Sequence, residues 1–248
     1  MTEARAAIVT GGASGIGKAC VEMLAARGWA VTIADLGADS GQALAEAIRA
    51  KGGKAQFVRT DVADEGSAQA MVRASEEAHG PLWGAINCAG VPQAAKPVHE
   101  MSLSEWDLCN NVNLRGMFLC IKYQVAAMWP HERGAVVAVS SAAAVKGLPN
   151  SADYCAAKAG VNGLVRGAAL DCAERNIRIN SLMPGATATP LAARSTASNP
   201  DLSKTRVRPM NRMAAPEEIA GAAVWLISDE STFATGAAFA VDGGMTIA

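Results

Sequence analysis

Tyr154 and Lys158 lie four residues apart in Tyr-Cys-Ala-Ala-Lys, and Ser141 stands thirteen residues before the tyrosine. On a helix, positions i and i+4 share a face, so the phenol and the ammonium would point the same way. A cation beside a phenol in a water-poor setting favours phenolate, which predicts a tyrosine pKa drawn from about 10 towards neutrality. Such a change corresponds to about 3–4 kcal/mol, the order that one full charge supplies in a poorly solvated pocket. The chemistry would be general acid–base transfer of a proton at an oxygen. A Tyr-x-x-x-Lys pair alone is a weak signal, and the rest of the chain must give it weight.

Those side chains need a scaffold, and 248 residues with 50% hydrophobic and 18% charged side chains suffice for one large α/β domain. Short apolar runs alternate with longer helical patterns. Ala6–Thr10, Ala30–Ala34, Ala55–Arg59, Gly84–Asn87, Ala135–Val139 and Ile177–Leu182 read as buried strands. Helices are expected from about Ile16 to Arg27, Ser40 to Lys51, Ser104 to Trp129 and Ser151 to Arg175, with Asp64 as the N-cap of another. Pro216-Glu-Glu-Ile starts a last helix, and the dipole of that helix explains Glu217 and Glu218 better than chemistry does. Continuous β-branched runs between helices imply a single-domain, Rossmann-like, doubly wound parallel sheet of about seven strands with helices on both faces. The one irregular stretch, about Leu191 to Pro209, is read as a functional or mobile substrate loop.

Between the first strand and first helix runs Thr10-Gly-Gly-Ala-Ser-Gly-Ile-Gly17, a variant of the dinucleotide fingerprint. Glycines allow a tight turn and close backbone approach to a pyrophosphate, and the helix N-terminus offers amide donors. Gly11, Ser14, Gly15, Ile16 and Gly17 are therefore candidate cofactor residues. Asp35 ends the second strand, where a carboxylate accepts from ribose hydroxyls and repels a 2′-phosphate. No Arg or Lys occupies positions 11–16 or 36–38, so NAD(H) is expected over NADP(H). Asp61-Val62 and Asn87-Cys-Ala-Gly90, after the third and fourth strands, add the candidates Asp61, Val62, Asn87, Ala89 and Gly90.

Taken in order, these residues resemble the short-chain dehydrogenases/reductases of the single-domain type. The resemblance runs from Ala6 to Gly244, on Thr10-Gly-x-x-x-Gly-x-Gly17, Asp61-Val62, Asn87-x-Ala-Gly90, Asn113, Ser141, Tyr154-x-x-x-Lys158, Pro184-Gly185, Thr235-Gly and Asp242-Gly-Gly244. It implies a catalytic tetrad of Asn113, Ser141, Tyr154 and Lys158. Tyr154 would exchange the hydroxyl proton, Ser141 would hold the substrate oxygen, Lys158 would bind the nicotinamide ribose, and Asn113 would help hold a water. Without it, Asn113 reads as a polar residue distorting its helix. The resemblance also makes Pro184, Gly185, Thr187 and Thr189 a nicotinamide-carboxamide segment. Thr187, usually aliphatic in the family, and Cys88, more often Asn or Ala, are tolerable departures.

The function expected is NAD(H)-dependent interconversion of a secondary alcohol and a ketone, small to medium and largely apolar. Ala142-Ala-Ala-Val-Lys-Gly-Leu-Pro149 would supply an apolar pocket wall. Phe118–Gln124 and Ala222–Leu226 look similar to segments of bacterial dehydrogenases acting on cyclic diols and alcohols, which points to a cyclic substrate. The alternatives are an NADPH-dependent acyl-carrier-protein ketoreductase, against which Asp35 speaks, and a nicotinamide-sensing protein without turnover, which would be expected to lack part of the tetrad. Near-neutral charge and the absence of a basic run exclude nucleic acid as an expected partner. No apolar stretch of about 20 residues or export signal suggests a membrane, and six cysteines without a C-x-x-C pair suggest a reducing cytosol. His79, His99 and His131 are read as surface residues without metal spacing. The family implies a homotetramer, and the helices bearing Asn113 and Tyr154 are apolar on more than one face (Met117, Phe118 and Ile121; Val161, Leu164 and Leu170).

Overall fold

Strand-length runs of small and β-branched residues are buried on both faces, and the sheet they form is wholly parallel. In the computed structural model, which describes residues 5–202 and 209–248, seven strands are ordered β3-β2-β1-β4-β5-β6-β7. They are β1 (Ala6–Thr10), β2 (Ala30–Asp35), β3 (Lys54–Arg59), β4 (Leu82–Asn87), β5 (Gly134–Val139), β6 (Ile177–Pro184) and β7 (Ala238–Val241). On one face lie α1 (Gly15–Ala26), α2 (Ala38–Ala50) and, late in the chain, α8 (Pro216–Ile227), with a core that includes Leu24, Ile33, Ile219 and Val224. On the other lie α3 (Glu65–His79), α5 (Gly116–Met128) and α6 (Ala152–Cys172), around Met71, Ile86's neighbour Ala85, Val161 and Ile179. The order reverses between β1 and β4, so the carboxyl ends of these strands open a crevice where such sheets bind ligands.

Local chemistry sets the helix starts. The Asp64 carboxylate accepts from the Ser67 amide at the head of α3, as its N-cap position predicts. Pro216 opens α8, and Glu218 accepts from the Ala215 amide and pairs bidentately with Arg212, which holds its carboxyl down to about 2. His79 departs from the surface expectation, since it ends α3 half-buried and desolvation lowers its pKa.

Two segments differ from the sequence reading. The helix expected over 104–129 is α4 (Leu103–Asn110) and α5 joined by a π-helical turn, Asn111–Arg115. The extra residue in that turn carries Asn113 inward, where its amide bonds the Val91 backbone twice. The segment expected to be irregular begins as a helix, α7 (Pro190–Ser198). Thr189 caps it by accepting from the Ala192 amide at 3.1 Å and Pro190 takes the first turn, an arrangement that outweighs the Ser and Thr content beyond. Residues 203–208 of that expected loop lie outside the described residues.

Candidate functional site

The carboxyl ends of β1, β2, β4, β5 and β6 surround a cavity of about 450 Å³. Its first half is a backbone surface. Gly11 adopts φ +63°, in the left-handed region, and a Cβ there would sit 2.8 Å from the Ala89 amide nitrogen. A Cβ on Gly17 would collide with the Gly11 carbonyl. The turn therefore closes only with glycine, and it leads into α1, whose N-cap Ser14 makes no side-chain cap and whose first turn carries no acid. The amides at that helix end are thus open to an anion, and the donor set fits a pyrophosphate. Asp35 stands at the rim of the same cavity, its carboxylate accepting from the Ala13 and Gly37 amides at 3.0 Å each. Asp61 and Val62 also line this half.

The second half gathers the titratable and hydroxyl side chains. Ser141 follows β5, and Tyr154 and Lys158 project from the first turns of α6 into the cavity. The Ser141 hydroxyl accepts from the Ala143 amide at 3.1 Å and stands close enough to the Tyr154 phenol to act on its titration. Lys158 is buried, its Nζ donating to the Val139 carbonyl at 2.9 Å and standing 5.6 Å from the centre of the Tyr154 ring. Burial pushes the Tyr154 pKa up to about 12, against a lowering influence from Ser141, and pulls Lys158 down to about 8. The expected lowering of the phenol by the lysine is therefore corrected. The ammonium is spent on a backbone carbonyl, and desolvation dominates both groups.

Pro184, Gly185, Thr187 and Thr189 bring the end of β6 along the cavity opposite Gly15. A Cβ on Gly185 would lie 2.7 Å from Asp242 Cα, and Asp242 in turn accepts from the Gly244 and Thr246 amides, folding the chain end so that Met245 reaches the cavity. Thr187 is buried, with its hydroxyl on the Gly185 carbonyl. The Thr189 oxygen accepts from Ala192, which leaves its O–H able to donate.

Two of the expected site residues do not line the cavity. Asn87 forms a reciprocal amide pair with Gln124, at 2.8 Å in each direction, which fastens β4 to α5 beneath the site. Asn113 is wholly buried under the loop after β4, donating to the Val91 carbonyl and accepting from its amide, both at 3.1 Å. Ala89 and Gly90 do line it, and a Cβ on Gly90 would press on Asn113 at 2.7 Å.

The same order of parts recurs in known proteins. A family model described as enoyl-(acyl carrier protein) reductase matches residues 11–246. The chain is 43% identical to the 2,5-dichloro-2,5-cyclohexadiene-1,4-diol dehydrogenase of Sphingobium indicum over 242 residues, 96% of each chain. It is 41% identical to the cis-4-hydroxycyclohexanecarboxylate dehydrogenase of Sinomonas cyclohexanicum, over 98% of this chain and 96% of that one. It superimposes on the crystal structure of levodione reductase with a TM-score of 0.95, at 31% identity and full coverage of both. The chain belongs to the short-chain dehydrogenase/reductase family. It is an oxidoreductase, and members of this family bind nicotinamide cofactors.

Sequence reasoning missed Gln93 and Met245, which line the cavity together with Leu191, Ser195 and Leu202 of the stretch expected as a substrate loop. Asp153, fully buried beside the tyrosine in sequence, accepts from the Ala94 amide at 2.8 Å and so fastens the loop after β4 to α6. An acid in the first turn of a helix was visible, but its partner 59 residues away carried no signal. Pro190 directly after Thr189 was a legible start signal for α7.

Proposed function

We propose that the protein is an NAD(H)-dependent dehydrogenase interconverting a cyclic secondary alcohol and its ketone. The observation that carries this reading is one cavity shared by the glycine turn, Asp35 and the Ser141–Tyr154–Lys158 group. Asp35 would hold the adenosine ribose hydroxyls, Asp61 and Val62 the adenine edge, and the amides at the head of α1 the pyrophosphate. Lys158 would bind the nicotinamide ribose, and Thr187 and Thr189 the carboxamide side. A nicotinamide held by these residues would supply or accept the hydride. Tyr154 gives its phenolic proton to the substrate oxygen in reduction and takes the hydroxyl proton in oxidation, while Ser141 holds that oxygen in line. Asn113 acts beneath, keeping the loop after β4 in place, and would help hold a water as the family resemblance implies.

A ring fits the apolar wall of Leu148, Leu191, Leu202 and Met245. The ring-acting relatives support that choice by their names. Exposed Leu103, Leu108 and Phe118 on α4 and α5, with Leu170 81% exposed on α6, support a homotetramer built through those helices. Six free thiols fit a reducing cytosol, and among the described residues no helix is long and apolar enough to cross a membrane.

Initial rates with NAD and NADP against a panel of cyclic, aromatic and aliphatic alcohols test the reading. Strong NAD preference is expected, with Asp35→Ala costing NAD about tenfold or more in kcat/KM and improving the relative rate with NADP. NADP preference in the wild type would sink the ribose assignment and bring forward the ketoreductase reading.

A further inference from the structure

The loop after β4 is held by two buried anchors. Asn113 bonds both backbone groups of Val91, and Asp153 accepts from the Ala94 amide. Ala95, next along, sits at φ +63°, a left-handed conformation that is strained for alanine. Between the anchors, Gln93 is presented to the cavity and is only 8% exposed. Its amide makes one bond in each direction to a single residue of α7, which leaves a second N–H and a second lone pair. The Ser195 hydroxyl donates to Gln93 Oε1 at 2.8 Å, and Gln93 Nε2 donates to the Ser195 carbonyl at 3.2 Å. The same cavity is also lined by the apolar Leu148, Leu191, Leu202 and Met245. A primary amide at the edge of an apolar pocket is costly unless it is satisfied, and it is both donor and acceptor.

We propose that Gln93 is a specificity-determining residue that reads a second oxygen on the substrate ring, exchanging part of its pairing with Ser195 for that oxygen. The proposal rests on the cyclic-alcohol reading above and narrows it to rings bearing a second hydroxyl or carbonyl. The first oxygen goes to Ser141 and Tyr154, the ring lies on the leucines and Met245, and the second oxygen reaches the amide. A plain cyclic alcohol leaves the amide with Ser195 only and gains nothing there. Because α7 carries Ser195, the same exchange couples substrate recognition to the seating of that helix. Arg194 also lines the cavity but is exposed, so an anionic substituent is the rival chemistry.

The test is steady-state oxidation by the full-length enzyme of cyclohexanol, the 1,2-, 1,3- and 1,4-cyclohexanediols and 4-hydroxycyclohexanecarboxylate. The wild type should favour one diol over cyclohexanol about tenfold in kcat/KM, the size of one satisfied hydrogen bond. Gln93→Leu should bring that ratio close to one, chiefly through the KM of the diol. Gln93→Glu, which still accepts from a hydroxyl, should keep most of the ratio, and so should Ser195→Ala, which leaves the amide in place. Equal losses on diol and cyclohexanol in both Gln93→Leu and Ser195→Ala would make the pair a helix latch and overturn the proposal. A preference for the carboxylate, abolished by Arg194→Met and not by Gln93→Leu, would overturn it too. Inertness of the wild type towards every cyclic alcohol, with turnover of acyclic ones, would instead overturn the ring reading beneath it.

Discussion

The two halves of the cavity are built from different materials. The cofactor half is backbone: glycines that tolerate no Cβ, helix-end amides, and one carboxylate held by two amides at the end of β2. The substrate half is made of side chains from segments far apart in the chain, joined by contacts such as Gln93 with Ser195 and Asn199 Nδ2 with the Pro149 carbonyl. A backbone surface is shape-fixed and admits one class of ligand, whereas a side-chain surface can be re-cut without disturbing the sheet. Variants in the first half should therefore act alike on every substrate, and variants in the second should re-rank substrates.

The largest effect is expected where the halves meet. Tyr154→Phe should lower kcat about 10²–10⁴-fold for every substrate, with cofactor affinity little altered, as measured by steady-state rates and by NADH fluorescence titration. Retention of most of kcat would mean that another group moves the proton. Gly17→Ala tests the backbone half, since its methyl meets the Gly11 carbonyl. About tenfold to a hundredfold weaker NADH binding is expected, equal across substrates, and a substrate-dependent loss would break the division drawn here.

The legibility of the chain follows the same division. Short-range chemistry could be read: buried strand runs, a glycine turn between strand and helix, Asp35 eighteen residues after Gly17, Tyr154 and Lys158 on one helix face. Asn87 was legible as a motif but not as a structural amide, because Gln124 lies 37 positions away and its partner is set by how α5 packs on β4. The π turn at Asn113 was legible only as a polar residue distorting its helix, because its partner Val91 lies 22 positions away. Gln93 and Ser195 are 102 residues apart, and neither is unusual on its own. The tyrosine pKa failed for a similar reason, as i and i+4 placed the two side chains on one face but could not show that Val139 takes the ammonium.

That correction yields a pH prediction. Reduction needs a phenol that still carries its proton, and Tyr154, pushed up to about 12, carries it throughout the neutral range. Oxidation needs the site to have lost one proton. Burial disfavours the Lys158 ammonium, so its proton leaves at about 8, below the usual lysine value. The kcat/KM for alcohol oxidation should therefore rise with pH through an apparent pKa of about 8. Lys158→Arg, with a guanidinium that stays charged, should move that rise upward. A flat profile across this range would separate Lys158 from the proton transfer.

The smallest expected effect is also the sharpest test of the substrate half. Leu191 sits on α7, half-buried, with its side chain on the cavity wall and no polar role. Leu191→Ala removes three carbons from a surface that a ring would cover, worth about 1 kcal/mol when only part of the side chain is covered. The KM for a preferred cyclic alcohol should rise about threefold to tenfold, smaller or acyclic alcohols should lose less, and the NADH dissociation constant should stay within about twofold. The re-ranking matters more than the size of the loss. If cofactor affinity fell together with substrate affinity, α7 would serve both halves, and the cavity would be one continuous surface instead of a backbone cradle joined to a side-chain pocket.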